Sequence, residues 1–178
     1  MKVSEELLDV VDENDSVVEV KTRGEIHARG LMHRAVHVLV FNNRGDLFLQ
    51  KRSMNKDENP GLWDSSAAGH VDSGEDYLQC ALRELTEELG IVVEGSLQAL
   101  FKLGASAATG NEHSVIYRYN FDGPLILQKD EIDEGRWVSP GEMDQRLESR
   151  DPGMTEILHL SWKEYRQLDE GSNRVWII

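Results

Sequence analysis

Three glutamates lie close together in the segment ALRELTEELG, residues 81–90. In a helix, side chains three and four positions apart are neighbours on one face, so Glu84, Glu87 and Glu88 would gather negative charge there. Each like-charged pair at this spacing weakens a helix by roughly 0.2–0.5 kcal/mol. A helix with this pattern is expected to have a positively charged partner outside itself.

A helix over residues 75–89 is predicted to carry these glutamates. Ser73, with Asp76 three positions later, predicts the start of the helix by a capping box. Gly90 is placed to end the helix in a left-handed conformation. Leucines recur at helical spacing and predict a stripe that faces the core, with the glutamates off that side. These leucines are Leu78, Leu82, Leu85 and Leu89.

Alternating apolar residues predict a sheet on which this helix packs. An N-terminal β-hairpin is predicted within 6–21, and residues 34–42, mostly apolar on both faces, predict a central strand. The predicted strands are 6–12, 16–21, 34–42, 47–52, 94–103, 113–121 and 136–139, with a loop at 53–66 and C-terminal helices within 140–168, at 140–149 and 154–168. This order favours an α/β (α+β) fold, a mixed β-sheet sandwiched between helices. The 178 residues fit a single domain, 1–178.

The composition limits the partners that the protein can have. A formal net charge of −14 makes duplex nucleic acid and anionic membrane poor partners. A phosphorylated small molecule would also be repelled unless a metal ion reverses the local sign. No apolar run approaches the ~20 residues that span a bilayer, and the acidic N-terminus lacks the apolar region of a signal peptide, so a cytoplasmic protein is expected. The single cysteine, Cys80, excludes an intrachain disulfide and a CxxC metal site, and we expect it to be buried.

A longer pattern surrounds the glutamates in GHVDSGEDYLQCALRELTEELGI, residues 69–91. It resembles the Nudix box, G-x5-E-x7-R-E-U-x-E-E-x-G-U with U aliphatic, and it matches at every fixed position. At average residue usage, the fixed letters would coincide by chance on the order of 10⁻⁸ per starting point. The resemblance implies the Nudix fold and a Nudix hydrolase.

Nudix hydrolases cleave a diphosphate linkage with Mg²⁺, and Mn²⁺ is an alternative cofactor. These cations prefer oxygen ligands and neutralise the charge around phosphorus. By this resemblance, Glu84, Glu87 and Glu88 would be metal ligands, with the carbonyl of Gly69 as a further ligand. The divalent cation would then be the positive partner that the helix requires.

The resemblance also assigns supporting and catalytic roles. Arg83 would orient a glutamate, while Glu75 and Gly90 would support the geometry of loop and helix. One glutamate would accept a proton from water. The candidates for this base are Glu87 and Glu88 inside the box and Glu112 and Glu131 outside it. Exposed surface acids are the alternative for Glu112 and Glu131, because glutamate is usually exposed.

Basic and aromatic residues beside the box are candidates for substrate binding. Arg52 and Lys56 could each clamp a phosphate oxygen, or could instead form surface ion pairs. Trp63 and Trp137 are expected to anchor the core in preference to stacking on a nucleobase.

A second resemblance covers residues 7–150, to isopentenyl-diphosphate isomerase and the Nudix hydrolases closest to it. The shared pieces are the opening hairpin, His-x5-His-Arg-Ala, Gln-Lys-Arg-Ser, and Pro-Gly-x-Trp. The isomerase has a proton-transferring cysteine where this chain has Ala68, and a second acidic metal ligand where it has Gly110. Its remaining metal ligands would fall at His27, His33, His70 and Glu112. The missing cysteine, the missing acid and the complete box favour hydrolysis.

Three questions stay open at the level of sequence. The histidines could bind metal or be structural, and the missing acid favours the structural role. An isomerase-like enzyme and a non-catalytic ligand-sensing module are alternatives to the hydrolase. The expected partner is a small-molecule diphosphate, either a nucleoside diphosphate linked to another group or a nucleoside di- or triphosphate, and the family suggests a homodimer.

Overall fold

The central strand β3 (His33–Phe41) is buried along most of its length, because its residues are apolar on both faces. A computed structural model describes residues 5–169 of the chain. In it, β3 pairs in parallel with β8 (Glu112–Asn120) and antiparallel with β6 (Ala67–His70) and β4 (Leu47–Arg52). The sheet is therefore mixed, as the sequence predicts.

The seven-stranded sheet has the order β5-β4-β3-β8-β7, with β6 on β3 and β9 on β4. The remaining strands are β5 (Trp63–Asp64), β7 (Gln98–Leu103) and β9 (Ile132–Val138). The helices are α1 (Arg23–Arg29), α2 (Tyr77–Leu89), α3 (Pro140–Glu148) and α4 (Glu156–Asp169), with a 3-10 turn at Ala107–Thr109. No helix among residues 5–169 is long and apolar enough to cross a membrane.

Apolar side chains fill both faces of the sheet. One face packs on α2 through Val36, Val38, Leu85 and Leu89. The opposite face packs on the C-terminal helices through a second cluster, which includes Leu39, Phe41, Leu49, Met143, Leu158 and Trp162. The prediction of a mixed sheet sandwiched between helices is confirmed. Cys80 is fully buried, as expected.

The N-terminal hairpin forms a separate two-stranded sheet of β1 (Leu7–Val11) and β2 (Val17–Thr22). Leu8 and Val10 of this hairpin pack with Ile26 of α1 in a small third cluster. The hairpin therefore holds α1, and with it His27, beside the main sheet.

The predicted start of α2 is wrong. The helix begins at Tyr77, and Asp76 rather than Ser73 is its N-cap. The Asp76 carboxylate accepts the Gln79 amide at 2.8 Å, and the Gln79 side chain accepts the Asp76 amide at 3.0 Å. The Ser73 hydroxyl instead donates to Asp9 at 2.7 Å, so it is not available as a cap.

The prediction of a leucine stripe on α2 that faces the core is wrong for two of its four residues. Leu85 and Leu89 are fully buried, but Leu78 and Leu82 are 45% and 36% exposed. The buried face of α2 consists of Cys80, Ala81, Glu84, Leu85, Glu88 and Leu89. Two of the glutamates thus share the face that packs against the sheet, because α2 lies across β6 and β3.

Other element boundaries differ by a few residues. The strand predicted at 94–103 begins at Gln98, and the one predicted at 136–139 begins at Ile132. The predicted loop 53–66 contains the short strand β5, which pairs with β4.

Candidate active site

A cleft of about 1020 Å³ opens beside α2, β6 and the loop that follows β4. It is lined by nine of the residues that the sequence predicts for the site: Arg52, Lys56, Gly69, Arg83, Glu84, Glu87, Glu88, Glu112 and Glu131. The two predicted supporting residues, Glu75 and Gly90, lie outside its lining. The elements thus bring positions from 52 to 131 to one place.

Glu84 lies directly against the backbone of Gly69. A Cβ atom at position 69 would be 1.9 Å from the Glu84 Oε1 atom, so this carboxylate occupies the space that the glycine leaves open. Burial raises the pKa of Glu84 to about 7, although Arg83 lowers it. Gly69 therefore allows the buried carboxylate of Glu84, on α2, to approach the backbone of β6.

Glu88 is more deeply enclosed, with 5% of its surface exposed. Its Oε2 atom accepts the Gln50 side-chain amide at 2.9 Å and the Ala68 backbone amide at 3.0 Å. Burial, followed by the charge of Glu84, raises the pKa of Glu88 to about 8. Gln50 begins the Gln-Lys-Arg-Ser segment but was not predicted as a site residue, because nothing local pairs a strand glutamine with an acid 38 positions away.

The carboxylate set fits a hard divalent cation. Two acids are buried side by side with raised pKa values, so their ionised forms lack sufficient positive charge nearby. Glu87 lines the same cleft, with 60% of its side chain exposed. Mg²⁺ and Mn²⁺ prefer such oxygen donors.

Arg83 forms ion pairs with three glutamates of the box. It contacts both oxygens of Glu75 at 3.0 and 2.9 Å, Glu84 at 2.6 Å and Glu87 at 3.3 Å. It also donates to the His70 carbonyl at 3.1 Å, which ties α2 to the end of β6. Gly90 ends α2 with a φ of +68°, the left-handed conformation that the sequence predicts.

The two predicted substrate cations already have partners in the cleft. Arg52 contacts buried Asp64 at 3.3 Å and the Glu58 carbonyl at 3.0 Å. Lys56 pairs with Glu131, which joins the loop after β4 to the segment before β9. A bound phosphate would compete with these carboxylates for the two cations.

Arg23 is a third cation in the cleft, and sequence reasoning missed it. Only 8% of its surface is exposed, its nearest carboxylate, Glu6, is 3.9 Å away, and its guanidinium donates no hydrogen bond to residues 5–169. It is the first residue of α1, where the helix dipole disfavours a cation.

The three histidines form a cluster beside the cleft, and His70 is the member that lines it. The ring centroids of His27, His33 and His70 lie 4.9–5.2 Å apart, and their nitrogen atoms could hold a metal ion. Glu112 contacts His70 at 3.0 Å and His33 at 3.5 Å. Burial alone would raise the pKa of Glu112, but these histidines hold it well below its usual range.

The alternative of an exposed surface acid is wrong for Glu112, whose side chain is 14% exposed. The adjoining Gly110, where the isomerase pattern requires a second acid, has a φ of +68° and lines the cleft. Residues other than glycine are uncommon in this conformation, so the backbone here suits the glycine.

The two tryptophans do not line the cleft. The cations of Lys51 and Arg136 lie 6.0 and 5.9 Å from the centre of the Trp63 ring, and Trp137 packs edge-on against Phe48. Their placement agrees with the expected packing role and not with nucleobase stacking in the cleft.

Comparison with known proteins identifies the family. Residues 31–160 match the NUDIX domain model. An uncharacterized Nudix hydrolase of Yersinia pestis is 34% identical over 169 residues, which cover 93% of this chain and 91% of that protein. A protein of Photorhabdus laumondii named isopentenyl-diphosphate Delta-isomerase 2 is 33% identical over 140 residues, covering 76% of this chain and 78% of its own.

The fold has a similar solved structure. The crystal structure of DR0079 from Deinococcus radiodurans superposes with a TM-score of 0.80 at 27% identity, covering 89% of this chain and 98% of that one. The chain belongs to the Nudix family and is a hydrolase of the class that acts on phosphoric anhydride bonds.

Proposed function

We propose that the protein hydrolyses a diphosphate linkage in a small molecule with the help of Mg²⁺ or Mn²⁺. One observation carries the proposal: Glu84, which lies against Gly69, lines the same cleft as Glu87 and Glu88, and that cleft also contains Arg23, Arg52 and Lys56. Such a cation neutralises phosphate charge and lowers the pKa of bound water. The nearby cations would hold the remaining phosphate oxygens.

The substrate class that we propose is a nucleoside diphosphate linked to another group, or a nucleoside di- or triphosphate. The cleft volume of about 1020 Å³ accommodates a ligand of that size. The loop after β4 and the 3-10 turn at Ala107–Thr109 line the cleft beyond the acids, so they would contact the group that carries the diphosphate.

A glutamate of the box is the best candidate for the base that takes the proton from water. Glu112 is held ionised by two histidines, and its low pKa makes it a weak proton acceptor. Glu131 is occupied by Lys56. Glu87, at the rim, and Glu88, on the cleft floor, are the remaining candidates, and both also serve as proposed metal ligands.

The test is a Mg²⁺-dependent turnover screen read by mass spectrometry. The panel contains nucleotide sugars, ADP-ribose, dinucleotides, NADH, coenzyme A, nucleoside di- and triphosphates, and isopentenyl diphosphate. Glu88→Gln is expected to lower kcat by at least ~10²-fold with the fold intact, since it removes a group that acts in the transition state.

Glu148→Gln is the matched control, because Glu148 is exposed at the end of α3 and outside the cleft. It should leave turnover unchanged. Full activity in a folded Glu88→Gln protein would contradict the assignment.

An isomerase-like activity is the second candidate, because His27, His33 and His70 form one group that could hold a metal ion, and His70 forms a second such group with Glu58 and Glu112. Ala68 opposes it, since a methyl group cannot transfer a proton at the position of the isomerase cysteine. Labelled isopentenyl diphosphate in the same panel distinguishes isomerisation from hydrolysis. Tight binding of a panel member without any turnover would instead favour a ligand-sensing module.

The histidine cluster is tested separately from the box. Titration of the Glu88→Gln protein with Zn²⁺ or Mn²⁺, with and without His33→Ala, reports whether the cluster binds a cation. Binding that disappears with His33→Ala would assign a metal site there, and no binding would leave the histidines a structural role.

A further inference from the structure

Among the residues that the structure describes, the outer strand of the N-terminal hairpin has an unpaired edge. Within residues 5–169, β2 pairs only with β1. The other edge of β1 faces the body of the protein, where the Ser73 amide donates to the Leu7 carbonyl and the Val11 amide donates to the Met32 carbonyl. The free edge of β2 is therefore a row of backbone donors and acceptors available to another strand.

Exposed apolar side chains are concentrated on the same hairpin. Val17, Val18 and Val20 are 50%, 60% and 45% exposed, and Leu7 of β1 is 53% exposed. These four are nearly half of the large apolar side chains that are exposed among the described residues. Large exposed apolar groups that gather in one place mark an interaction surface more often than single scattered ones do.

The strand register shows which backbone groups face outward. The Leu7 carbonyl and the Val11 amide point away from β2. Because the backbone groups of successive residues in a strand point to alternate sides, the amides and carbonyls of Leu8 and Val10 point towards β2. Leu8 is opposite Lys21 and Val10 is opposite Glu19, so the backbone groups of Lys21 and Glu19 point inward.

Val20, between these two residues, points its amide and carbonyl to the free edge. Thr22 would do the same, but its amide already donates to Glu25 as part of the cap of α1. Val20 is thus the regular position of β2 at which both backbone groups stay available.

We propose that β2 pairs with β2 of a second copy, antiparallel, on a two-fold axis through Val20. The two Val20 residues then exchange a pair of hydrogen bonds, and the two hairpins join into one four-stranded sheet. In this register Glu19 of each copy lies opposite Lys21 of the other. The surface is therefore complementary to itself in charge as well as in backbone.

The charges of Glu19 and Lys21 favour this register over the neighbouring ones. A two-fold axis through Glu19 or Lys21 would place like charges opposite each other, and the backbone groups of those residues point inward. Only the axis on Val20 combines outward backbone groups with opposite charges. The contact is small, so we expect a dimer with a dissociation constant on the order of micromolar or weaker.

The proposal is tested by sedimentation up to concentrations on the order of 100 µM. The wild-type protein should associate, while Glu19→Lys and Lys21→Glu should each be monomeric, since each places like charges opposite each other twice. Mixing the two variants should restore a dimer, because positions 19 and 21 then carry opposite charges at both places where they face each other.

The mixing experiment separates an interface from a fold defect, since the pair of residues also contact each other within one chain at 3.3 Å. Both residues lie outside the cleft, so turnover should persist in both variants, and failure of the proposed hydrolysis would not affect this test. A monomeric wild-type protein, or single variants that dimerise like the wild type, would overturn the proposal. A monomer in which the Val20 amide is protected from hydrogen exchange would show that another segment covers the edge, and that too would overturn it.

Discussion

At the scale of single residues, the site depends on donors that reach the glutamates from other elements. Gln50 of β4 and the Ala68 amide of β6 both donate to the same oxygen of Glu88. Together they fix the carboxylate on the cleft floor and favour its ionised form, while burial favours the protonated form. A divalent cation would shift the balance to the ionised form in which Glu88 can act as a ligand.

Arg23 leads to the prediction that belongs to this scale. Arg23 is a buried guanidinium whose ion-pair partner, Glu6, is 3.9 Å away, and it donates no hydrogen bond to the described residues, so it can offer its donors to an anionic ligand without breaking a hydrogen bond. Arg23→Ala is expected to raise KM for the diphosphate substrate by roughly 10–100-fold, since hydrogen bonds to charged groups contribute about 1.5–3 kcal/mol. Initial-rate kinetics with the substrate identified by the screen would measure this change.

Arg44→Ala is the control for Arg23→Ala, because Arg44 is 75% exposed in the turn after β3. Its KM should equal that of the wild type. If Arg23→Ala also leaves KM unchanged, Arg23 does not contact the substrate.

At the scale of elements, the sequence predicts the longer strands and helices but neither α1 nor β6, and it predicts the contacts between elements poorly. Apolar alternation identifies β3 because it depends only on neighbouring residues, and the spacing of the box places three acids on α2. Which face of α2 is buried depends on β6, whose Gly69 leaves space for Glu84. No local pattern contains that information.

The same reason explains the residues that were missed or left undecided. Gln50 and Arg23 become site residues only when the fold brings β4 and α1 to the cleft. The histidines meet because the hairpin sets α1 beside the ends of β3 and β6. The box predicts its own internal roles, whereas the rest of the cleft is determined by tertiary structure.

The corrected start of α2 gives a prediction for this element. Asp76→Ala removes the side chain that accepts the Gln79 amide and should lower the free energy of unfolding by about 1 kcal/mol, as for other N-caps. Urea unfolding monitored by circular dichroism would measure the change. Asp76→Ser, which can still cap the helix, should recover most of it. Equal stability of Asp76→Ala and wild type would show that Asp76 is not the effective cap.

At the scale of the whole molecule, the charge of the protein opposes the ligand that its cleft is proposed to bind. The net charge is −14, and a diphosphate adds further negative charge. Arg23, Arg52 and Lys56 provide local positive charge, but Lys56 and Arg52 are partly neutralised by Glu131 and Asp64. A bound divalent cation would change the sign at the acids, so cation binding and substrate binding should reinforce each other.

The pH dependence of the stability of the folded protein should differ according to whether this cation is bound. The pKa values of Glu84 and Glu88, about 7 and about 8, lie above the 4.5 of a free glutamate. The folded state therefore holds protons that the unfolded state has lost, and stability must fall as the pH rises through these values. His70, whose pKa is lowered by burial from 6.5, acts in the opposite direction and at lower pH.

The informative window is therefore from pH 6.5, the ordinary value for histidine, to about pH 8.5. In EDTA, Tm is expected to fall across this window by about 4 °C or more, because 1 kcal/mol shifts the Tm of a domain of this size by roughly 2–4 °C. Excess Mg²⁺ should reduce the fall, since it binds the ionised carboxylates and stabilises only the folded state. Glu88→Gln should flatten the profile in EDTA, and Glu148→Gln should not. A profile in EDTA that is flat in the wild type would contradict the raised pKa values of Glu84 and Glu88. A profile that Mg²⁺ leaves unchanged would mean that the buried acids are not the cation site.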